Sequence, residues 1–373
     1  MLKFAIVGCG RIARRHAEIL SKGQIREASL VAVCDNVAAR ARAFSEQHAV
    51  PHFTDYHRMM HAMGADIDVV VIATPSGSHS QVCVDLAPYG KHFVVEKPIA
   101  LTLDDADAMI DTCDKAGARL FVVKQNRYNI PVLKLREAVE QNRFGKLVTG
   151  TVRVRWCRTQ QYYDQDAWRG TWAEDGGVFA NQASHHVDLL QWMMGDVDTV
   201  VAKSATRLVD IEVEDTGVAL LQFASGALGV IEATTAARPK DLEGSISILG
   251  ENGTVEIDGF AVNHMKTWNF AEKIDGDDQV LETYRENPPN VYGFGHVRYL
   301  EDVVDCLLTG RAGAVDGREG RRSLELIIAI YESIAAQREV ALRFRPEKSP
   351  LGRRKPVDAA VAAAAPVKYR ASE

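Results

Sequence analysis

Short apolar runs and amphipathic stretches alternate through the first third of the chain. Residues 3–7, 30–34, 52–53, 67–73, 93–95 and 119–124 are apolar, mostly β-branched runs with the length of strands buried on both faces. The stretches between them, 11–20, 37–48, 56–63, a segment ending near 89, and 103–116, carry helical periodicity, as does 131–141. Alternation of this kind predicts an α/β unit built on a doubly wound parallel sheet, over residues 1–127. From Lys146 the period shortens to two. Residues 147–157, 200–207, 216–223, 227–235, 245–249 and 254–257 read as strands, with tight turns at Ala224-Ser225-Gly226 and Glu251-Asn252-Gly253. Hairpins imply a second, α+β domain with an open, largely antiparallel sheet, over 128–345, closed by amphipathic helices at 294–308 and 317–337. The tail, 346–373, is Lys/Arg/Pro-rich and then alanine-rich, a low-complexity segment expected to be poorly ordered.

At 373 residues, two domains are expected. A formal charge of −6 argues against a general nucleic-acid binder. The six cysteines are scattered without a metal-ligand spacing, which suits reduced thiols in a cytoplasm. No apolar run approaches the length of a membrane span, and residues 2–7 are too short for a signal-peptide core. His48, His52, His57 and His61 recur at metal-like intervals but straddle a Pro-containing turn, and no metal site is expected there.

The first strand runs directly into Gly8-Cys9-Gly10-Arg11-Ile12-Ala13 and then a helix. This is G-x-G-x-x-A in a strand-turn-helix setting, where glycines allow a tight turn and close approach of backbone to a pyrophosphate. The second strand ends in Asp35, placed to bind both ribose hydroxyls, and with Asn36 following it and no adjacent arginine a 2′-phosphate would be repelled, so NAD is favoured over NADP. Three further strands end in polar clusters: Thr74-Pro75 with His79, Glu96-Lys97-Pro98, and Gln125-Asn126-Arg127-Tyr128. In open α/β sheets ligands sit at these carboxyl ends, which makes Lys97 the first candidate for chemistry, while a plain surface lysine before a loop proline stays open. For His79 a local hydrogen bond at a helix start is the competing reading.

In the second half, Arg153, Arg155, Trp156, Arg158, Tyr162, Tyr163, Trp168 and Arg169 mix arginines with aromatics, which suits phosphates and a stacked base; a surface hairpin whose aromatics pack on the sheet would look the same. A helix expected from Asn181 to Met194 puts Asn181, His185, Asp188 and Trp192 on one stripe and Val187, Leu190, Met193 and Met194 opposite, with His186 between. His185 with a carboxylate one turn away can act as a base, although a solvated helix face shares the pattern.

Taken in order, G-x-G-x-x-A, Thr74-Pro75 with His79, Glu96-Lys97-Pro98, and Gly176-Gly177 leading to His185 and Asp188 resemble the glucose-fructose oxidoreductase/inositol dehydrogenase (Gfo/Idh/MocA) family, over about residues 2–344. The resemblance implies a Rossmann domain followed by an open-faced sheet domain, homodimers or homotetramers assembled through that sheet, and Lys97 with His185 as the active pair. The family usually has aspartate four residues before that histidine; Asn181 stands there in this chain. Asn181, the Gln125-Asn126-Arg127 segment and the stretch from Tyr163 to Gly170 look like the branch that oxidises C3 of UDP-N-acetyl-glucosaminuronic acid in bacterial surface-polysaccharide synthesis. The expected cofactor residues are Gly8, Gly10, Arg11, Ile12, Asp35, Thr74, Pro75, His79, Glu96, Lys97 and Gln125. The expected substrate residues are Arg127, Arg158, Tyr163, Trp168, Arg169, Asn181 and His185. His185 is assigned as base and Lys97 as the group that stabilises alkoxide charge, with the roles exchangeable. Two alternatives are a dehydrogenase or ketoreductase of another sugar or inositol, and a non-catalytic NAD-binding regulator, which would have no need for Lys97 together with His185.

Overall fold

The computed structural model describes residues 1–288, 293–313, 315–342 and 351; apart from Leu351, the expected tail at 346–373 lies outside the described residues. In chain order the first elements are β1 (Leu2–Val7), α1 (Arg11–Ser21), β2 (Ala28–Cys34), α2 (Ala38–His48), β3 (His52–Phe53), α3 (Tyr56–Met63), β4 (Val69–Ile72), α4 (His79–Leu86), β5 (His92–Val95), α5 (Leu103–Lys115) and β6 (Leu120–Val122). There follow α6 (Ile130–Glu140), β7 (Leu147–Arg155), α7 (Gln160–Tyr163), α8 (Ser184–Met194), β8 (Val197–Ala205), β9 (Thr216–Phe223), β10 (Leu228–Thr234), β11 (Glu243–Gly250), β12 (Gly253–Asp258) and β13 (His264–Phe270). The last are α9 (Val280–Thr283), α10 (Gly295–Thr309), α11 (Gly317–Ala336) and β14 (Val340–Ala341). Two compact units result, Met1–Lys124 with His296–Arg321, and Gln125–Gly295 with Arg322–Glu373.

In the first unit six strands pair in the order β3-β2-β1-β4-β5-β6, and every pairing is parallel. Val69, Val70, Val71 and Ile72 of β4 are wholly buried, as are Phe93, Val94 and Val95 of β5, which is why these strands read as unbroken apolar runs. The order reverses between β1 and β4, and ligands bind at such a switch point, beyond the strands' carboxyl ends. The segment from His296, expected in the second domain because it follows that sequence, packs with the first unit instead. The Arg119 guanidinium donates to the Cys306 carbonyl (2.6 Å), and the Val122 amide donates to the Val315 carbonyl (3.1 Å).

The second unit carries an eight-stranded sheet, β13-β12-β11-β7-β10-β9-β8-β14, antiparallel except where β10 runs parallel to β7. Alternation is clearest on β9: Gly217, Ala219, Leu221 and Phe223 are buried, while Val218, Leu220 and Gln222 face outward. Helix α8 lies close over β7, where a Cβ on Gly150 would come within 2.7 Å of Leu190 and 2.8 Å of Met194. The strand β13 was not foreseen, since His264, Lys266 and Asn269 interrupt its apolar pattern; β14 has two residues, too few for periodicity to act on. Helix α8 starts at Ser184, three residues later than expected, and Asn181 sits in the preceding turn, its amide donating to the Gly177 carbonyl (2.9 Å). Among the described residues, no helix is long and apolar enough to cross a membrane.

Candidate active site

The glycine loop is built as its sequence requires. Gly8 has φ +95°, and a Cβ there would lie 2.6 Å from the backbone of Ala73, so the loop after β1 packs directly on the turn after β4. At Gly10 a Cβ would meet nothing within 4 Å, leaving open space beside the start of α1. Gly10 is also the N-cap, and no side chain caps the helix, so the first-turn N–H groups of α1 have no side-chain acceptor at the cap. Asp35 closes the loop: its Oδ2 accepts the Cys9 amide (2.7 Å) and its Oδ1 the Val37 amide (2.8 Å). Open space beside Gly10, a helix N-terminus and a carboxylate at the end of β2 fit a dinucleotide with a free ribose diol. Arg11 is exposed at the head of α1, and Ile12, Thr74 and Pro75 are half-buried.

His79 lies beneath this surface. It is buried, with Nδ1 3.0 Å from the Pro98 carbonyl and Nε2 3.1 Å from the Thr74 carbonyl, so one ring links the turns after β4 and β5. Burial pushes its pKa down, opposed by these carbonyls. A neutral ring has one N–H and serves one carbonyl at a time. Glu96 is buried at the end of β5 and Lys97, next to it, is half-buried. His16, on the apolar face of α1, donates to Glu96 across 2.7 Å. Sequence reasoning passed over His16; the available signal was a histidine among Ala13, Ala17, Ile19 and Leu20.

In the second unit, the stripe expected to be polar is real but dry: His185 is 7 % exposed and Asp188 2 %. Asp188 binds Arg127 through both oxygens (2.7 and 2.8 Å), and the Arg127 guanidinium stacks on Trp192 at 4.7 Å. The carboxylate expected to orient His185 is therefore committed to a buried arginine, and Arg127 anchors the helix. Gln125 stands against the imidazole, its Nε2 2.9 Å from His185 Nε2. An amide N–H donating there needs a lone pair on the ring nitrogen, the state of a neutral imidazole able to take a proton. The neighbouring His186 is core: burial pushes it down to about 4, and its ring meets Trp156 edge-on at 5.8 Å.

Asn181 donates its side-chain amide to Asp175 Oδ1, while Asp175 Oδ2 accepts the Gly170 amide (2.7 Å). An acid is thus present beside position 181, supplied from six residues earlier, and sequence reasoning missed it. The Asp-Gly-Gly turn was its signal. Gly176 has φ +78°, and a Cβ on Gly177 would fall 2.0 Å from the Glu214 carboxyl, so both glycines of that turn are sterically required.

The arginine-aromatic segment forms a ladder. Arg158 lies over Trp156 (5.2 Å) and Tyr162 (5.4 Å), and Arg169 over Tyr162 (4.6 Å) and Trp168 (4.4 Å). Asp241 pairs with Arg158 at 2.8 Å and Asp166 with Arg169 at 3.2 Å. Tyr163 is buried behind it, its hydroxyl 3.2 Å from Thr235 Oγ1.

Residues 2–124 match the family model described as an oxidoreductase family's NAD-binding Rossmann fold, and residues 136–342 match that of the same family's C-terminal alpha/beta domain. A myo-inositol 2-dehydrogenase of Thermotoga maritima is 29% identical over 353 residues, covering 91% of this chain and 98% of that protein. A D-apiose dehydrogenase of Paraburkholderia graminis is 25% identical, with 93% and 92% covered. Among solved structures, the WlbA dehydrogenase from Bordetella pertussis, in complex with NADH and UDP-GlcNAcA, is 43% identical with a TM-score of 0.87, covering 91% of this chain and 97% of that one.

Proposed function

Since the chain belongs to the Gfo/Idh/MocA family of NAD-dependent sugar and inositol dehydrogenases, we propose that its own reaction is oxidation of C3 of UDP-N-acetyl-glucosaminuronic acid, in bacterial surface-polysaccharide synthesis. The observation that carries this reading is the half-buried ladder of Arg158, Tyr162, Arg169 and Trp168, with Trp156 buried beneath Arg158, a set of arginines and rings suited to a base and a diphosphate together. The 43% identity to a protein solved with UDP-GlcNAcA supports it.

Bound NAD supplies the acceptor for a hydride leaving the carbinol carbon. The chain's own residues do the rest. The opening at Gly10 and the N-terminus of α1 take the pyrophosphate, and Asp35 the ribose diol. His185, held by Gln125 in the neutral state that the amide N–H requires, removes the hydroxyl proton once the substrate hydroxyl takes the place of that amide. Lys97 stabilises the oxygen's charge as it develops. Asn181, its amide turned by Asp175, presents its carbonyl oxygen as an acceptor for a substrate hydroxyl. The outward face of the second sheet, with Val218, Leu220 and Leu228 exposed, joins copies of the chain into a homo-oligomer.

The test is the absorbance of reduced nicotinamide after mixing protein, NAD and UDP-N-acetyl-glucosaminuronic acid, with and without 2-oxoglutarate. Wild type should produce the signal, and Lys97→Ala and His185→Ala should each lose on the order of 100-fold or more in rate. Discharge of the signal by 2-oxoglutarate would mean that NADH is recycled in place. Turnover of myo-inositol but not of the UDP-sugar would replace the substrate assignment with the one that the Thermotoga relative suggests. Alanine variants as fast as wild type would sink the residue roles.

A further inference from the structure

Glu96 is a buried carboxylate at the end of β5, with an oxygen for each of two tasks. Oε1 receives His16 Nε2 at 2.7 Å. Oε2 accepts the backbone N–H of Lys97 at 3.2 Å. One carboxylate therefore ties the helix that starts at the glycine loop to the backbone of the lysine. Behind it His296, also fully buried, meets the His16 ring edge-on with centroids 5.7 Å apart.

His16, Glu96 and His296 bring three potential metal donors within 4.8 Å of one another. The direct 2.7 Å contact between His16 Nε2 and Glu96 Oε1 is a hydrogen bond. The group reads as a hydrogen-bonded charge cluster. A lone carboxylate at this depth would be costly. Burial alone would raise the Glu96 pKa, but the His16 hydrogen bond and the charges of His16, His296 and Lys97 outweigh it and hold the group down at about 2. Among the described residues, the titratable groups that face Glu96 are His16 from α1, His296 from α10, His79 from α4 and Lys97 beside it.

We infer that His16 and Glu96 are positioning residues for Lys97: the Glu96 carboxylate fixes the lysine backbone and keeps its ammonium charged, and His16 fixes the carboxylate. Coupling between two charges is mutual, so the lysine that favours the Glu96 anion is itself favoured as a cation by that anion. This rests on Lys97 acting in the proposed reaction, and its test is separable from that reading.

The ionisation of Lys97 is read directly, with no substrate present, from the pH dependence of its acetylation rate by acetic anhydride, followed by mass spectrometry of the Lys97 peptide. Glu96→Gln should lower the midpoint by about one pH unit. In the NAD-dependent reaction the alkaline limb of kcat should move down with it. His16→Ala should lower kcat on the order of tenfold through lost alignment, and His16→Gln, which keeps an N–H donor, should recover most of that loss. An unchanged Lys97 midpoint in a folded Glu96→Gln protein overturns the inference, as does a His16→Gln variant no better than His16→Ala. A midpoint that moves while the alkaline limb stays fixed upholds the coupling and removes Lys97 from the proposed mechanism.

Discussion

Glu214 is fully buried in the second unit, and its Oε1 accepts both the Tyr331 hydroxyl (2.9 Å) and the Phe179 amide (3.1 Å). Burial pushes its pKa up to about 7, aided by Asp215, against these hydrogen bonds. The folded chain then holds a proton that the unfolded chain, with an ordinary value of 4.5, releases earlier. Between those two values the native state binds more protons, so stability falls as pH rises through the window and levels off above it. The cost of ionising Glu214 is on the order of 3 kcal/mol. Urea midpoints of wild type should decline from pH 5 to pH 8 more steeply than those of Glu214→Gln; parallel declines would show that Glu214 ionises freely. Nothing in the sequence marked this residue. A glutamate followed by an aspartate reads as surface, and only the close approach of Gly177 and Tyr331 makes it core. The same limit hid His16, whose partner Glu96 lies on another element, whereas Asp175, bonded to Gly170 and Asn181 close by in the chain, was overlooked in a local turn; Lys97 and His185 stood out as candidates because an E-K-P strand end and a helical stripe are local patterns.

At the scale of elements, the two glycines of the first loop should separate stability from binding. Gly8→Ala forces a side chain onto the Ala73 backbone at a positive φ, and should cost on the order of 2 kcal/mol or more, read as a lower thermal midpoint. Gly10→Ala meets no protein atom, so the midpoint should hold while NAD affinity, measured by titration calorimetry, falls because the methyl occupies the pyrophosphate's space. Equal NAD affinity in Gly10→Ala and wild type would place the pyrophosphate elsewhere. Most elements were readable in advance: six strands in the first unit, and period-two strands with tight turns in the second. The exceptions have physical causes. Strand β13 carries too many polar residues for its pattern to show, and α10 and the segment after it join the first unit through bonds from Arg119 to Cys306 and from Val122 to Val315, which chain order gives no hint of.

For the whole molecule, the outward face of the second sheet is the feature with a measurable consequence. Leu220 is 54% exposed on β9 and Leu228 58% on β10, beside Val218 and Val201, an apolar surface unusual for an isolated chain. The double variant Leu220→Glu, Leu228→Glu should sediment as a monomer where wild type sediments as a homo-oligomer, with its secondary structure unchanged. A wild-type monomer would rule out the proposed assembly.

Strand β7 sits at the middle of that sheet, yet it leaves the ribosome first. Its residue Thr149 pairs with Leu228 on one side and Leu249 on the other, and both are made much later. Until then β7 has two open edges and no neighbour. A nascent chain released before β10 is made would present both edges to any other strand, and one released before β11 would still present the second, so such fragments should be prone to aggregation. Because β7 pairs only with strands far along the chain, its pairing should be slow, and a mutation that weakens it should reduce the yield of native protein.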